Sequence, residues 1–264
     1  MRAHWIRRGT VLIAVMTAVL GVAVPADALH SWGGNPGYHW ARETNPFTLR
    51  LGDNVGGVWD GYLGTTSADW SQSVVLDTSV VPGVSSPRKC AASLGSVQVC
   101  NSTYGANGWL GLAQVWISGS HITQGTVKVN DTYFNTATYN TVAWRNLVMC
   151  QEVGHTLGLG HQDEDSANAN LNSCMDYTNK PFSNQHPNQH DYEQLALIYG
   201  HGDTTTTVTA AATARANATV GRGSEGERGE WGQLVRGSED ARSVAAYQRE
   251  LPDGEQVFTF VIWA

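Results

Sequence analysis

The chain is short of charge and shorter still of positive charge. Charged residues fill 15% of its 264 positions, with 16 basic side chains against 23 acidic ones and a formal charge of −7. No basic patch appears, which argues against nucleic acid or an anionic membrane surface as a partner. Long apolar runs are equally scarce. The one example, Val11–Val24, is about 14 residues, short of the roughly 20 that a membrane-spanning helix needs. No internal repeat occurs, and cysteine is confined to Cys90, Cys100, Cys150 and Cys174.

What is present begins with a leader. Arg2, Arg7 and Arg8, the apolar run and Ala26-Asp27-Ala28 read as a secretory signal peptide over 1–28, cut after Ala28. Its removal takes three arginines and one aspartate, leaving 13 basic and 22 acidic residues and a charge of −9. The expected location is extracellular, where disulfides are permitted. Four cysteines allow three connectivities.

Residues 29–46 form an extended lead-in rich in Gly, Trp, His and Pro. Phe47–Leu51 alternates apolar and polar side chains and reads as a half-buried strand. A helix with one apolar face is expected over Val58–Ser71, followed by strands at Val74–Asp77, Val97–Val99, Leu110–Ile117 and Thr126–Asn130. Tyr139–Leu157 is the strongest helix, stopped by Gly158 and Gly160. Asp191–Tyr199 is a closing helix before Gly200. From Asp203 the composition shifts: Thr204–Thr219 is nearly all Thr and Ala, and Gly221–Gly232 is Gly, Glu and Arg. The expected division is 1–28 leader, 29–202 main domain, 203–232 linker and 233–264 a short β-like segment. That last piece, with strand-like stretches at 233–236, 245–249 and 257–263, is too small for its own core and should dock elsewhere.

The chemistry concentrates at Gln151-Glu152-Val153-Gly154-His155-Thr156-Leu157-Gly158-Leu159-Gly160-His161. With histidine at 151 this would be HExxHxxGxxH. Residues four apart on a helix share a face, which suits two metal ligands. The third histidine requires a sharp turn, and Gly158 tolerates the positive φ that such a turn uses. Fourteen residues past His161 lies Met175, within Ser173-Cys174-Met175-Asp176-Tyr177. Together these stretches resemble the metzincin zinc metallopeptidases, nearest the matrixin-like branch, over residues 45–200. Met175 matches the methionine of the Met-turn, and Tyr177 matches the M-x-Y form of the astacin and serralysin branches.

The resemblance implies an α+β fold with a twisted mixed sheet, an active-site helix, a Met-turn and a C-terminal helix. It implies zinc held by His155, His161 and, through an amide oxygen, Gln151. It makes Glu152 the general base and Tyr177 an oxyanion stabiliser, with a protein or peptide substrate and a monomeric chain. It also favours the pairings Cys90–Cys100 and Cys150–Cys174, the second fastening the helix to the Met-turn. The lead-in has no cysteine, so a cysteine latency plug of the matrixin kind is absent from it.

Gln151 is the departure, because an amide oxygen is a weaker zinc ligand than imidazole. Three outcomes stay open: Gln151 ligates; Tyr177, His186 or His190 completes the shell; or the domain is a catalytically silent binding module. Asp163-Glu164-Asp165 with Asn168, Asn170 and Asn172 offers oxygens for calcium. It lacks the spacing and glycine of an EF-hand, so a solvated polar loop is the simpler reading.

Overall fold

The computed structural model describes residues 1, 30–34, 36–208, 228–240 and 243–264. The expected leader, Met1 apart, lies outside the described residues. The elements run β1 (His39–Trp40), β2 (Phe47–Asn54), α1 (Trp59–Trp70), β3 (Leu76–Pro82), β4 (Ser96–Ser102), β5 (Trp109–Ser118), β6 (His121–Asn130), α2 (Asp131–Phe134), α3 (Val142–Thr156) and α4 (Gln189–Ile198). After the linker come β7 (Gln233–Gly237), β8 (Val244–Glu250) and β9 (Gln256–Trp263).

One mixed sheet organises everything, in the order β3-β2-β4-β6-β5-β9-β8-β7 with β1 on the start of β6. β3, β2, β4 and β6 are parallel, and every pair from β6–β5 to β8–β7 is antiparallel. With helices packed beneath, this is an α+β architecture. Among the described residues, no helix is long and apolar enough to cross a membrane.

Alternation decides the faces. In β2, Phe47, Leu49 and Leu51 point into the core while Thr48 is exposed, as period 2 requires. In α1, Trp59, Leu63, Thr66, Ser67 and Trp70 form the buried stripe. β9 divides its side chains: Phe258, Phe260 and Ile262 join the main core. Val261 and Trp263 join a second cluster with Trp109, Leu112, Trp231 and Tyr247. β5, flanked by β6 and β9, is therefore buried along nearly its whole length.

Several boundaries differ from the sequence expectation. α3 starts at Val142 rather than Tyr139, because Thr141 is extended and its hydroxyl accepts from Trp144 N at 3.2 Å, a side-chain N-cap. The strand expected from Val74 starts at Leu76 and continues to Pro82 by pairing with β2, leaving Val74 exposed. α2 is a single turn that apolar periodicity does not reveal; Asn130 caps it through Thr132 N. Parts of 203–232 that composition suggests as linker are packed. Thr207 bonds Ala41 through main chain and side chain, and Trp231 is buried against Tyr247 and Trp263.

Disulfides join Cys90 to Cys100 and Cys150 to Cys174. The second ties α3 to the loop that carries Met175.

Candidate metal centre

α3 is buried from Arg145 to Thr156, and tryptophans seat it. The indole N–H groups of Trp32, Trp40 and Trp70 donate to the carbonyls of His155, Thr156 and Cys150 at 3.2, 2.8 and 3.2 Å. Thr156 O is one of the carbonyls that the end of a helix leaves without an intrahelical partner, and His155 O accepts from Gly158 N at 3.2 Å as well. Gly158 follows with φ +98°, and a Cβ there would lie 2.5 Å from Tyr38 O. The chain doubles back, Leu159 bridges Ser31, and Gly160 N donates to His30 O. His161 returns beneath the helix in this way.

The result is a contact between His155 Nε2 and His161 Nε2 at 3.1 Å. His155 Nδ1 faces Leu159 O at 2.8 Å, and a carbonyl only accepts, so Nδ1 carries the proton. His161 Nδ1 faces Glu164 Oε1 at 3.4 Å and likewise donates. In neutral rings, both Nε2 atoms therefore present lone pairs to each other. A hydrogen bond between them would need one ring cationic. Burial, with the His161 ring adding to it, holds His155 well below the ordinary imidazole range. Two converging lone pairs suit a shared cation. Zn–N bonds of about 2.0–2.1 Å place tetrahedral nitrogens about 3.3–3.4 Å apart.

Gln151 stands one turn before His155 on the same face of α3. It is fully buried, and neither its Oε1 nor its Nε2 has a hydrogen-bond partner. An orphaned amide is costly in a dry site, and ligation through Oε1 would relieve half of that cost. Glu152 is buried against β5, where a Cβ on Gly111 would come within 2.6 Å of its Oε1. Burial pushes its carboxyl well up, the Ala113 main chain nearby acting in the opposite direction.

Met175 packs on Gly154, where a Cβ would overlap its sulfur and lie 2.8 Å from Trp70 Cζ2. Gln162 N donates to Met175 O at 2.7 Å and Tyr177 N to Asp163 O at 3.0 Å. These bonds lay the Met175–Tyr177 segment beside the strand leaving His161. His186 instead pairs with Asp69 at 2.7 Å and is largely exposed, and His190 faces His30 at 4.9 Å between ring centroids. The structure does not bring either histidine of the expected alternative shell to the His155–His161 pair. The acidic loop also uses its oxygens internally. Asp163 accepts from Asp165 N and Asn168, Asp165 accepts from Ala167 N, and Asn170 bonds Thr178, Ser183 and Lys180 O.

The C-terminal strand was not legible as part of this site. Phe260 stacks on the His155 ring, 4.3 Å between centroids and 12° between planes. Arg236 pairs with Glu164 at 2.7 Å, the same carboxylate that holds His161. A cavity of about 390 Å³ opens beside His161, walled by the lead-in through Trp32 and Tyr38 and by the tail through Arg236 and Phe258. The alternation in 257–263 marks an inward face but carries nothing about which strand it will meet.

No family model matches the chain. No curated protein matches it either. Among solved structures it is similar to myroilysin, with 13% identity over 61% of this chain and 83% of that one, at a TM-score of 0.35. It is also similar to high choriolytic enzyme 1, a hatching-enzyme zinc protease of the medaka Oryzias latipes. There the identity is 12%, over 64% of this chain and 96% of that one, again at a TM-score of 0.35.

Proposed function

We propose that the chain is a secreted zinc endopeptidase of metzincin type, held here in a closed form. The observation that carries this reading is the convergence of the His155 and His161 lone pairs at 3.1 Å, beside an orphaned Gln151 amide on the same helix face. His155, His161 and Gln151 Oε1 would hold the metal. When bound, zinc supplies a Lewis acid for a peptide carbonyl and for water. Glu152 takes a proton from the attacking water on a carboxylate oxygen and delivers it to the leaving amine. Tyr177 stabilises the charge that develops on the carbonyl oxygen, and Met175 supports α3 from below. The substrate is a protein or peptide, and the chain acts as a monomer outside the cell.

β9 pairs along β5 and Phe260 covers His155, so a substrate enters only after the tail withdraws. The rival reading is a silent binding module on the same scaffold, favoured by the neutral amide at 151.

The decisive experiment measures hydrolysis of an unfolded protein by the zinc-loaded chain, intact and cleaved within residues 209–227, with Glu152→Gln as the control. Hydrolysis that appears on cleavage and disappears in Glu152→Gln supports the peptidase. A cleaved, zinc-loaded chain without activity, or activity that survives Glu152→Gln, rejects it.

A further inference from the structure

A second group of imidazoles converges near the C-terminal end of α3 and shares no residue with the His155–His161 pair. His39 lies in β1, His121 opens β6, and His201 and Asp203 follow α4. The register of β1 on β6 sets His39 opposite His121. Arg42 brings in the third segment, donating to Tyr199 O, to His201 O and to Asp203. Asp203 Oδ2 is held by Arg42 Nη1 at 2.7 Å and by Arg42 N at 3.2 Å. That leaves Oδ1 facing the histidines.

The distances around Oδ1 are narrow in range. His121 Nε2 lies 3.3 Å away, His39 Nε2 3.5 Å and His201 Nε2 3.7 Å. His201 Nε2 is also 3.2 Å from His39 Nε2. His39, His121 and Asp203 each offer a ligand atom within 4.8 Å of the other two, while His201 stands beside His39 outside that group. The 3.3 and 3.5 Å spans from Oδ1 to His121 and His39 match the edges set by tetrahedral metal–ligand bonds of about 2.0–2.2 Å. The rings are turned edge to face, His39 lying at 82° to His121 and 88° to His201, so they converge through nitrogen rather than stack.

Proton placement points the same way. His39 Nδ1 meets Gly37 O at 2.8 Å, a carbonyl that can only accept. With Nδ1 donating to that carbonyl, Nε2 is the atom turned toward Asp203 Oδ1, 3.5 Å away. His39 Nε2 and Asp203 Oδ1 then face each other as two acceptors, which a cation between them would reconcile. A ring N–H bonded to a backbone carbonyl is also how metal-binding histidines are commonly held.

We propose that His39, His121 and Asp203 form a second metal site suited to zinc. Two imidazole nitrogens and one carboxylate fit a divalent transition ion, whereas calcium takes six to eight oxygens. The metal would clamp the lead-in, the β5–β6 turn and the segment after α4 into one knot. That knot lies where the chain departs toward its C-terminal tail. The assignment is independent of the peptidase reading, because it shares no ligand with the His155 site.

The test is zinc content by elemental analysis of the dialysed, zinc-loaded full chain, as wild type and as His121→Ala/His201→Ala. Both substituted side chains are partly exposed, so the fold is disturbed little. The expected result is a loss of one zinc equivalent per chain at unchanged circular dichroism, while His186→Ala loses none. Cobalt loaded into a His155→Ala chain is the second measurement, and does not depend on the double variant folding. It should show the intense visible bands of a tetrahedral nitrogen–oxygen site. Equal zinc content in wild type and double variant overturns the assignment, as does a His155→Ala chain that takes up no tetrahedral cobalt.

Discussion

Phe260 lies face to face on the imidazole of His155, with ring centroids 4.3 Å apart. A residue 105 positions further along the chain thus seals the ring that the motif assigns to zinc. The contact is reinforced by the β5–β9 ladder, which pairs Ala113 with Phe260, and by the Arg236–Glu164 ion pair.

Loosening this cover should expose the metal. Phe260→Ala in the intact chain is expected to speed zinc transfer to a chelator at least several-fold. It should also lower stability by about 3–5 kcal/mol, the usual cost of deleting a buried phenylalanine side chain. Stopped-flow zinc release, run below the variant's melting temperature, checks it. Unchanged release would mean that the ring does not limit access.

Gln151→His restores a third imidazole. Imidazole is the stronger zinc ligand, so affinity at the His155 site should rise by about tenfold or more, equivalent to about 1.4 kcal/mol. Competition against a chromophoric chelator measures it, with His121→Ala/His201→Ala in the background to remove the second site. No gain in affinity would place residue 151 outside the ligand shell.

Gly154→Ala should damage the site without touching a ligand. Its Cβ would overlap Met175 Sδ and crowd Trp70, an overpacking of the kind that costs about 1–3 kcal/mol. The urea midpoint should fall, and zinc affinity at the His155 site should fall with it. Adding Met175→Ala should recover part of the loss in midpoint, which a double-mutant cycle would show.

Lys128 sets a pH dependence. It is 2% exposed, and burial pushes its ammonium down to about 8. Since the folded value lies below the unfolded one, the unfolded chain binds more protons between about pH 8 and pH 10.5. Stability from this group therefore rises with pH across that window, and the cost of burying the charge is full below it. Lys128→Met should be more stable than wild type at pH 7 by an amount on the order of 3 kcal/mol, and the difference should shrink toward pH 10.5. Melting temperatures of the two proteins across that range decide the point.

Much of the architecture could be read from the chain. The strands near Phe47 and Thr126 follow from local alternation, those near Val97 and Leu110 from short apolar runs, and α1 and α4 from their apolar positions. α3 and its glycine stop follow from a continuous helical segment ending in a residue free to take positive φ. Where reading failed, the determinant lay elsewhere in the chain. Val80–Pro82 belong to β3 only because β2 offers a parallel edge, and Thr207 is fixed because Ala41 meets it.

The sequence by itself determined the elements and the i,i+4 relation of Gln151 to His155, since both are set by bonds within a few residues. Tertiary structure alone decided that Phe260 would cover His155 and that His39, His121, His201 and Asp203 would meet. Strand order and register depend on partners distant in the chain, and alternation records which way a side chain faces but not what it will face.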